Sequence, residues 1–301
     1  LILGTYTCLA GNMLSMCKYL NSFTMEVIMN KRLTTALEVA TTILAGVAYS
    51  HVNANYIKRT HYALQCDHIK RHVRIAFISD LHYGNCQRKT AVDRMLVSLE
   101  KEDIDTLILG GDIVDSHTTG YEMRRILERL GSIPVRENKF YILGNHDSDD
   151  MDLRKHFTFN ELHTTLRNNG IILLDNMSYV DNNLGICYIG LNCNQRKQQA
   201  ATLMHSHYMC LSNYMVNIQH MPWRSKAEIN EYHDLILSGH THAGQLFPAN
   251  ILMKRAGFEP YGMYKNGDVM SIVTSGAGVS KIPFRNMKHC EYVIIDLFPM
   301  Q

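Results

Sequence analysis

Along the middle of the chain, short apolar runs alternate with polar motifs. Val73–Ser79 runs into Asp80, Asp105–Leu109 into Gly110-Gly111-Asp112, and Lys139–Leu143 into Gly144-Asn145-His146. Met215–Gln219 runs into His220, and Asp234–Ser238 into Gly239-His240. Runs of this length, mostly hydrophobic and β-branched, mark strands buried on both faces. Lys89–Glu100 and Tyr121–Leu130 instead space their apolar residues at helical intervals. From Ile171 the pattern turns strand-rich, with Ile171–Leu174, Gly185–Leu191, Val269–Thr274 and Tyr292–Leu297. This succession predicts an α/β fold: a four-layer α/β/β/α sandwich of two packed mixed sheets flanked by helices.

The first seventy residues differ in kind. Leu1–Leu20 and Leu33–Ser50 are apolar runs near the length needed to cross a bilayer. Asn12 and Lys18 dilute the first; Glu38 and four threonines dilute the second. Lys31-Arg32 precedes the second run and Lys58-Arg59 follows it, a near balance that sets no orientation. The expected organisation is a hydrophobic, transmembrane stretch over 1–52, a connector over 53–72 and a folded domain over 73–301. Within the connector, Asn53–Leu64 reads as extended chain or an edge strand. An amphipathic helix packed on the domain is the competing reading of the apolar runs. The chain starts at Leu rather than Met, as a partial sequence with further membrane segments upstream would.

Composition narrows the function. With 301 residues, 46% of them hydrophobic, the chain can bury one sizeable core. A net charge of +2 argues against a nucleic-acid stripe. Eight cysteines without a C-x-x-C pair give neither a disulfide framework nor a zinc ribbon. They read as buried or free thiols of a reduced compartment, with Cys86, just past the first motif, as a packing residue.

The chemistry lies where the runs end. Asp80-Leu81-His82, Gly111-Asp112-Ile113-Val114-Asp115, Gly144-Asn145-His146-Asp147, His220-Met221-Pro222 and Gly239-His240-Thr241-His242 follow one another in order. They supply two aspartates, one asparagine and four histidines as ligand candidates, with His146 left over for catalysis. Any one motif alone is as well explained by a cap or turn at a strand end, and His205-Ser206-His207 reads as a polar loop. As a set they fall at one edge of a sheet, where open α/β folds bind ligands. Mixed oxygen and nitrogen donors without cysteine suit Mn²⁺, Fe²⁺ or Zn²⁺. Seven groups are too many for one tetrahedral ion and about right for two ions sharing a carboxylate. Two-metal sites, with ions roughly 3.5–4 Å apart, characterise phosphatases and nucleases.

The motif order D-x-H, G-D-x-x-D, G-N-H-D, H-x-P, G-H-x-H resembles the calcineurin-like metallophosphoesterase superfamily over Arg74–Leu297. Gly239–Pro248 is similar to a membrane-tethered, phosphodiesterase-type branch, which usually has a second glycine where this chain has Ala243. The resemblance implies that Asp80, His82 and His242 hold one metal, Asn145, His220 and His240 the other, and that Asp112 bridges them. It further implies attack by a metal-bridging hydroxide, with His146 as general acid oriented by Asp115. Members with protein substrates usually carry an arginine where Ser116 stands, which weakens a protein-phosphatase reading. The expected substrate is a phosphodiester or a lipid-linked or nucleotide pyrophosphate, met at a membrane, with the cytoplasmic side favoured by the unpaired cysteines. Arg285, in Lys281-Ile282-Pro283-Phe284-Arg285, is expected to touch substrate, against a plain solvated arginine. The other function class is a non-catalytic, membrane-associated binding module that keeps the fold. Loss of a ligand or of the His146–Asp115 pair would mark it, and none is lost.

Overall fold

The computed structural model describes residues 2–84, 89–148, 156–192, 212–222 and 233–300. Cys86 and His205–His207 lie outside them. The chain divides into two compact units, residues 1–49 and 50–301.

The N-terminal unit belongs to one helix, α1 (Ile2–Asn55), 54 residues long. The two apolar runs are therefore parts of one element. No proline interrupts residues 1–55, and threonines at 24, 34, 35, 41 and 42 bond back to carbonyls of the preceding turn, so nothing forces a break. Lys18–Asn55 is long and apolar enough to cross a membrane by length and composition.

The second unit holds two six-stranded sheets. The first is ordered β1 (Ile57–Cys66), β12 (Cys290–Pro299), β2 (Val73–Ile78), β3 (Thr106–Leu109), β4 (Asn138–Tyr141), β5 (Ile172–Leu173). The second is ordered β10 (Gly262–Asn266), β11 (Val269–Val273), β9 (Leu235–Ser238), β8 (Tyr214–Gln219), β7 (Ile186–Leu191), β6 (Met177–Asp181). Both sheets are mixed. β2 to β5 run parallel with β12 antiparallel to β2, and β7, β8, β9 and β11 run parallel between the antiparallel edges β6 and β10. Residues 57–66 take the edge-strand alternative, pairing in parallel with β12.

Alternation along β2 sorts the layers. Val73, Ile75 and Phe77 pack between the sheets with Ile108, Phe140, Tyr188, Val216 and Leu235. Ala76 and Ile78 face the other way, with Leu107 and Leu109, against α2 (Lys89–Leu99) and α3 (Gly120–Ser132). Helix α2 buries Ala91, Val92, Met95, Leu96 and Leu99, one helical stripe. Helix α3 opens with a capping box in which Thr119 and Glu122 satisfy each other's backbone N–H. Two sheets flanked by helices are thus the architecture the sequence pattern implied.

This topology matters because the parallel strands β2, β3, β4, β8 and β9 all deliver a motif at their C-terminal ends, from both sheets. The short helix α4 (Asn145–Ser148) starts on the third motif.

One cysteine departs from expectation. Cys66 and Cys290 are buried, and burial pushes the Cys66 thiol up to about 11. Cys187, buried on β7, is disulfide-bonded.

At the edge of the first sheet, Arg74 clasps Asp296 with both arms, at 2.8 and 2.9 Å, while ring nitrogens of His61 and His72 face the same carboxylate at 2.8 and 3.0 Å. Asp296 is 4% exposed. Burial alone would raise its pKa, but these partners hold it well below the usual carboxylate range. A carboxylate depressed in the folded state stabilises fully above its unfolded pKa, about 3.9, and loses that contribution as pH falls toward the folded value. Urea melts should therefore show stability falling below pH about 4. Asp296→Asn should cost about 3 kcal/mol at neutral pH and flatten that acid limb.

Candidate metal centre

The motifs converge. Asp80, His82 and His242 present ligand atoms within 4.8 Å of one another, and so do Asp112, His220 and His240. In the first set the Nε2 atoms of His82 and His242 lie 3.3 Å apart, with Asp80 Oδ1 3.5 Å from His242 Nε2. In the second, Asp112 Oδ2 lies 3.1 Å from His220 Nε2. The same oxygen is 3.9 Å from His82 Nε2, so Asp112 reaches toward both sets.

The backbone holds these groups under strain. Asp80, His82, Asp112, His240 and His242 have φ of 54°, 46°, 52°, 66° and 49°. Asp and His tolerate this left-handed region better than most residues, but each such turn still costs on the order of 1–3 kcal/mol. Ala243, at φ 54°, occupies a conformation that glycine adopts freely. Two glycines are required by space: a Cβ on Gly144 would sit 2.1 Å from Asp112 Oδ1, and one on Gly239 would sit 2.2 Å from Asp80 Oδ2.

Fixed hydrogen bonds aim the donors. His220 Nδ1 donates to the Gly110 carbonyl at 2.9 Å, which turns Nε2 toward the carboxylates. His82 Nδ1 lies 3.1 Å from Asp115 Oδ2, which turns its Nε2 inward likewise. His240 N–H donates to Asp80, at 3.0 Å from each carboxylate oxygen, and His146 N–H to Asp112 Oδ1 at 2.8 Å. Asp147 takes the amides of Asp112 and Gly144 and the Tyr141 hydroxyl, so it orders the loop. Ser79, which the motif pattern overlooked, donates to Asp80 Oδ2 at 2.7 Å and lies 2.9 Å from the Gly110 carbonyl.

Electrostatically the donor set suits cations. Burial raises the Asp80 and Asp112 pKa values, but the imidazoles of His242 and His220 beside Asp80, and of His220 beside Asp112, bring both below the usual range. Burial lowers His242 to about 3, leaving a neutral imidazole with a lone pair to offer. His220 Nε2 and Asn145 Oδ1 are buried without a hydrogen-bond partner. A buried polar atom without a partner is costly, and a divalent cation among these donors would satisfy both.

Asp115 and Arg285 both adjoin ligand candidates. Asp115 lies against His82 Nδ1, the His117 amide and Thr118, and His146 packs its ring edge-on to the same His82, with centroids 5.3 Å apart. Arg285 is fully buried, so it is not a plain solvated arginine. Its guanidinium donates to the carbonyls of His242, at 2.9 Å, and His289, at 3.1 Å, with Ser275 and Gly276 completing the cradle. It ties down the loop that carries His242.

Residues 73–244 match the family model of the calcineurin-like phosphoesterases. The chain belongs to this family. Among curated proteins, this calcineurin-like phosphoesterase is 26% identical to an uncharacterized metallophosphoesterase of Helicobacter pylori, over 77% of this chain and 62% of that one. It is 27% identical to an uncharacterized metallophosphoesterase of Aquifex aeolicus, over 85% of this chain and 97% of that one. It is 28% identical to a transmembrane protein with metallophosphoesterase domain of Danio rerio, over 75% of this chain and 53% of that one. The chain thus spans less than two thirds of the length of the Helicobacter and Danio relatives. A divalent metal centre is what the family and the converging donors support.

Proposed function

We propose that this chain is a membrane-associated hydrolase of phosphodiesters or of lipid-linked or nucleotide pyrophosphates, working with two divalent ions. The observation that carries the reading is the position of Asp112, facing His220 Nε2 at 3.1 Å and His82 Nε2 at 3.9 Å between two triads of donors. Asp80, His82 and His242 would hold one ion; Asn145, His220 and His240 the other; Asp112 would bridge. When bound, the ions supply Lewis acidity toward the phosphoryl oxygens and acidify a water enough to make it a nucleophile near neutral pH.

The chain's own groups do the rest. His146, beside His82 and outside both triads, is placed to give a proton to the leaving alkoxide. Asp115 acts one step further out, fixing the His82 tautomer through Nδ1. No serine or cysteine nucleophile is needed, because the attacking oxygen comes from water. The non-catalytic alternative calls for a missing ligand or acid, and each of these positions is filled.

The test is a panel of Mn²⁺-, Fe²⁺- and Zn²⁺-loaded protein against phosphomonoesters, phosphodiesters, nucleotide pyrophosphates and lipid-linked pyrophosphates. Turnover of a diester or pyrophosphate, abolished by Asp80→Ala, is expected. Binding without turnover across the panel would favour the non-catalytic module.

Arg285 gives a separate expectation. Arg285→Ala should strip donors from several buried carbonyls at once and cost at least about 3 kcal/mol, at roughly 1–3 kcal/mol for each group left unmet. Metal retention should fall with it, since the His242 loop loosens. Calorimetric melting with elemental analysis checks this; unchanged metal content with a raised KM would restore the substrate-contact role.

A further inference from the structure

Beside the His242 loop lies a surface that is both greasy and basic. The helix α5 (Ala249–Arg255) buries none of its residues. Phe247 and Leu252 are 63% and 59% exposed, Ile251 is exposed beside them, and so is Ile282 on the adjoining loop. Lys254, Arg255, Lys281 and Lys288 are exposed around them, and neither 239–258 nor 275–290 contains an aspartate or glutamate. Single exposed apolar residues are ordinary; four large ones, ringed by cations with no anion among them, are a patch with a preferred partner.

The patch is one rigid piece. Gln245 Nε2 donates to the Ser280 and Ile282 carbonyls, at 3.1 and 3.2 Å, and its Oε1 accepts from Ser280 N–H at 3.0 Å. Phe247 N–H donates to Asn286 Oδ1 at 2.8 Å.

A second observation says what the partner is. The C-terminal end of α1 packs on this same 280–290 loop: Ser50 O accepts from Arg285 N–H at 3.0 Å, His51 meets Phe284 ring to ring, and Tyr56 stands edge-on to His289. Val52 and Tyr56 are exposed there. The stretch that ends at this point, Lys18–Asn55, is long and apolar enough to cross a membrane.

We propose that the platform formed by 246–256 and 280–288 docks on an anionic bilayer surface. Phe247, Ile251, Leu252 and Ile282 enter the headgroup boundary, and Lys254, Arg255, Lys281 and Lys288 meet lipid phosphates. Docking by itself asks nothing of catalysis; that it would offer membrane-borne phosphoesters to the centre is a consequence resting on the hydrolase reading.

Hydrogen exchange followed by mass spectrometry tests the docking without reference to activity. The full chain is compared in phosphatidylcholine membranes with and without phosphatidylglycerol. Amides of 246–256 and 280–288 are expected to exchange several-fold slower in the anionic membrane, with the difference shrinking at high salt. Leu252→Glu combined with Lys254→Glu should erase that protection while β2 and β12 amides exchange as before. Equal exchange in the two membranes, or failure of anionic membranes to capture the chain, overturns the proposal; so does a double variant that stays protected.

Discussion

Asp112→Asn should empty both metal positions together. Its carboxylate faces donors of both triads, at 3.1 Å to His220 and 3.9 Å to His82. An asparagine keeps the shape and one oxygen but gives up the charge that two cations would share. Replacing even an outer partner of a ligand typically costs 10–100-fold in affinity, so loss of a shared ligand should exceed about 10²-fold for each ion. His82→Ala should deplete mainly one. Elemental analysis of the two variants separates them. If Asp112→Asn releases a single ion, the bridging role is wrong even though the site survives.

His146→Ala should leave both metals in place and damage the reaction selectively. A general acid matters in proportion to how badly the leaving group needs a proton. An alkoxide needs one; p-nitrophenolate hardly does. General acid assistance is typically worth about 10²–10⁴-fold, so most of that should vanish on an alkyl or nucleoside leaving group and much less on a p-nitrophenyl ester. Asp80→Ala should hurt both alike. Asp115→Asn is the informative contrast. Because Asp115 holds His82 at 3.1 Å, the variant should also lose metal from the His82 position, which His146→Ala should not. An equal loss on both leaving groups for His146→Ala would mean that the residue supports a metal or stabilises charge instead.

The strands and the donor set could be read from sequence because burial leaves a plain mark. Fully buried parallel strands such as β3 and β8 are continuous apolar runs, and each ligand follows one within a few residues. What could not be read was decided by contacts between distant segments. Arg285 sits in a polar loop and looks solvated until the end of α1 and the Ser275–Gly276 turn close around it. The left-handed turns at Asp80, His82, Asp112, His240 and His242 fall on residue types that tolerate them, so composition hides strain that glycines would have advertised. The unbroken α1 was legible as an absence of proline, yet its two apolar runs suggested two segments.

The central claim is a pair of ions held between the two sheets' strand ends. Anomalous diffraction from a Mn²⁺-loaded crystal tests it most directly. The account predicts two peaks roughly 3.5–4 Å apart, one among Asp80, His82 and His242, the other among Asn145, His220 and His240, with Asp112 between them. A single peak at full loading, or two peaks that Asp112 does not join, would contradict it.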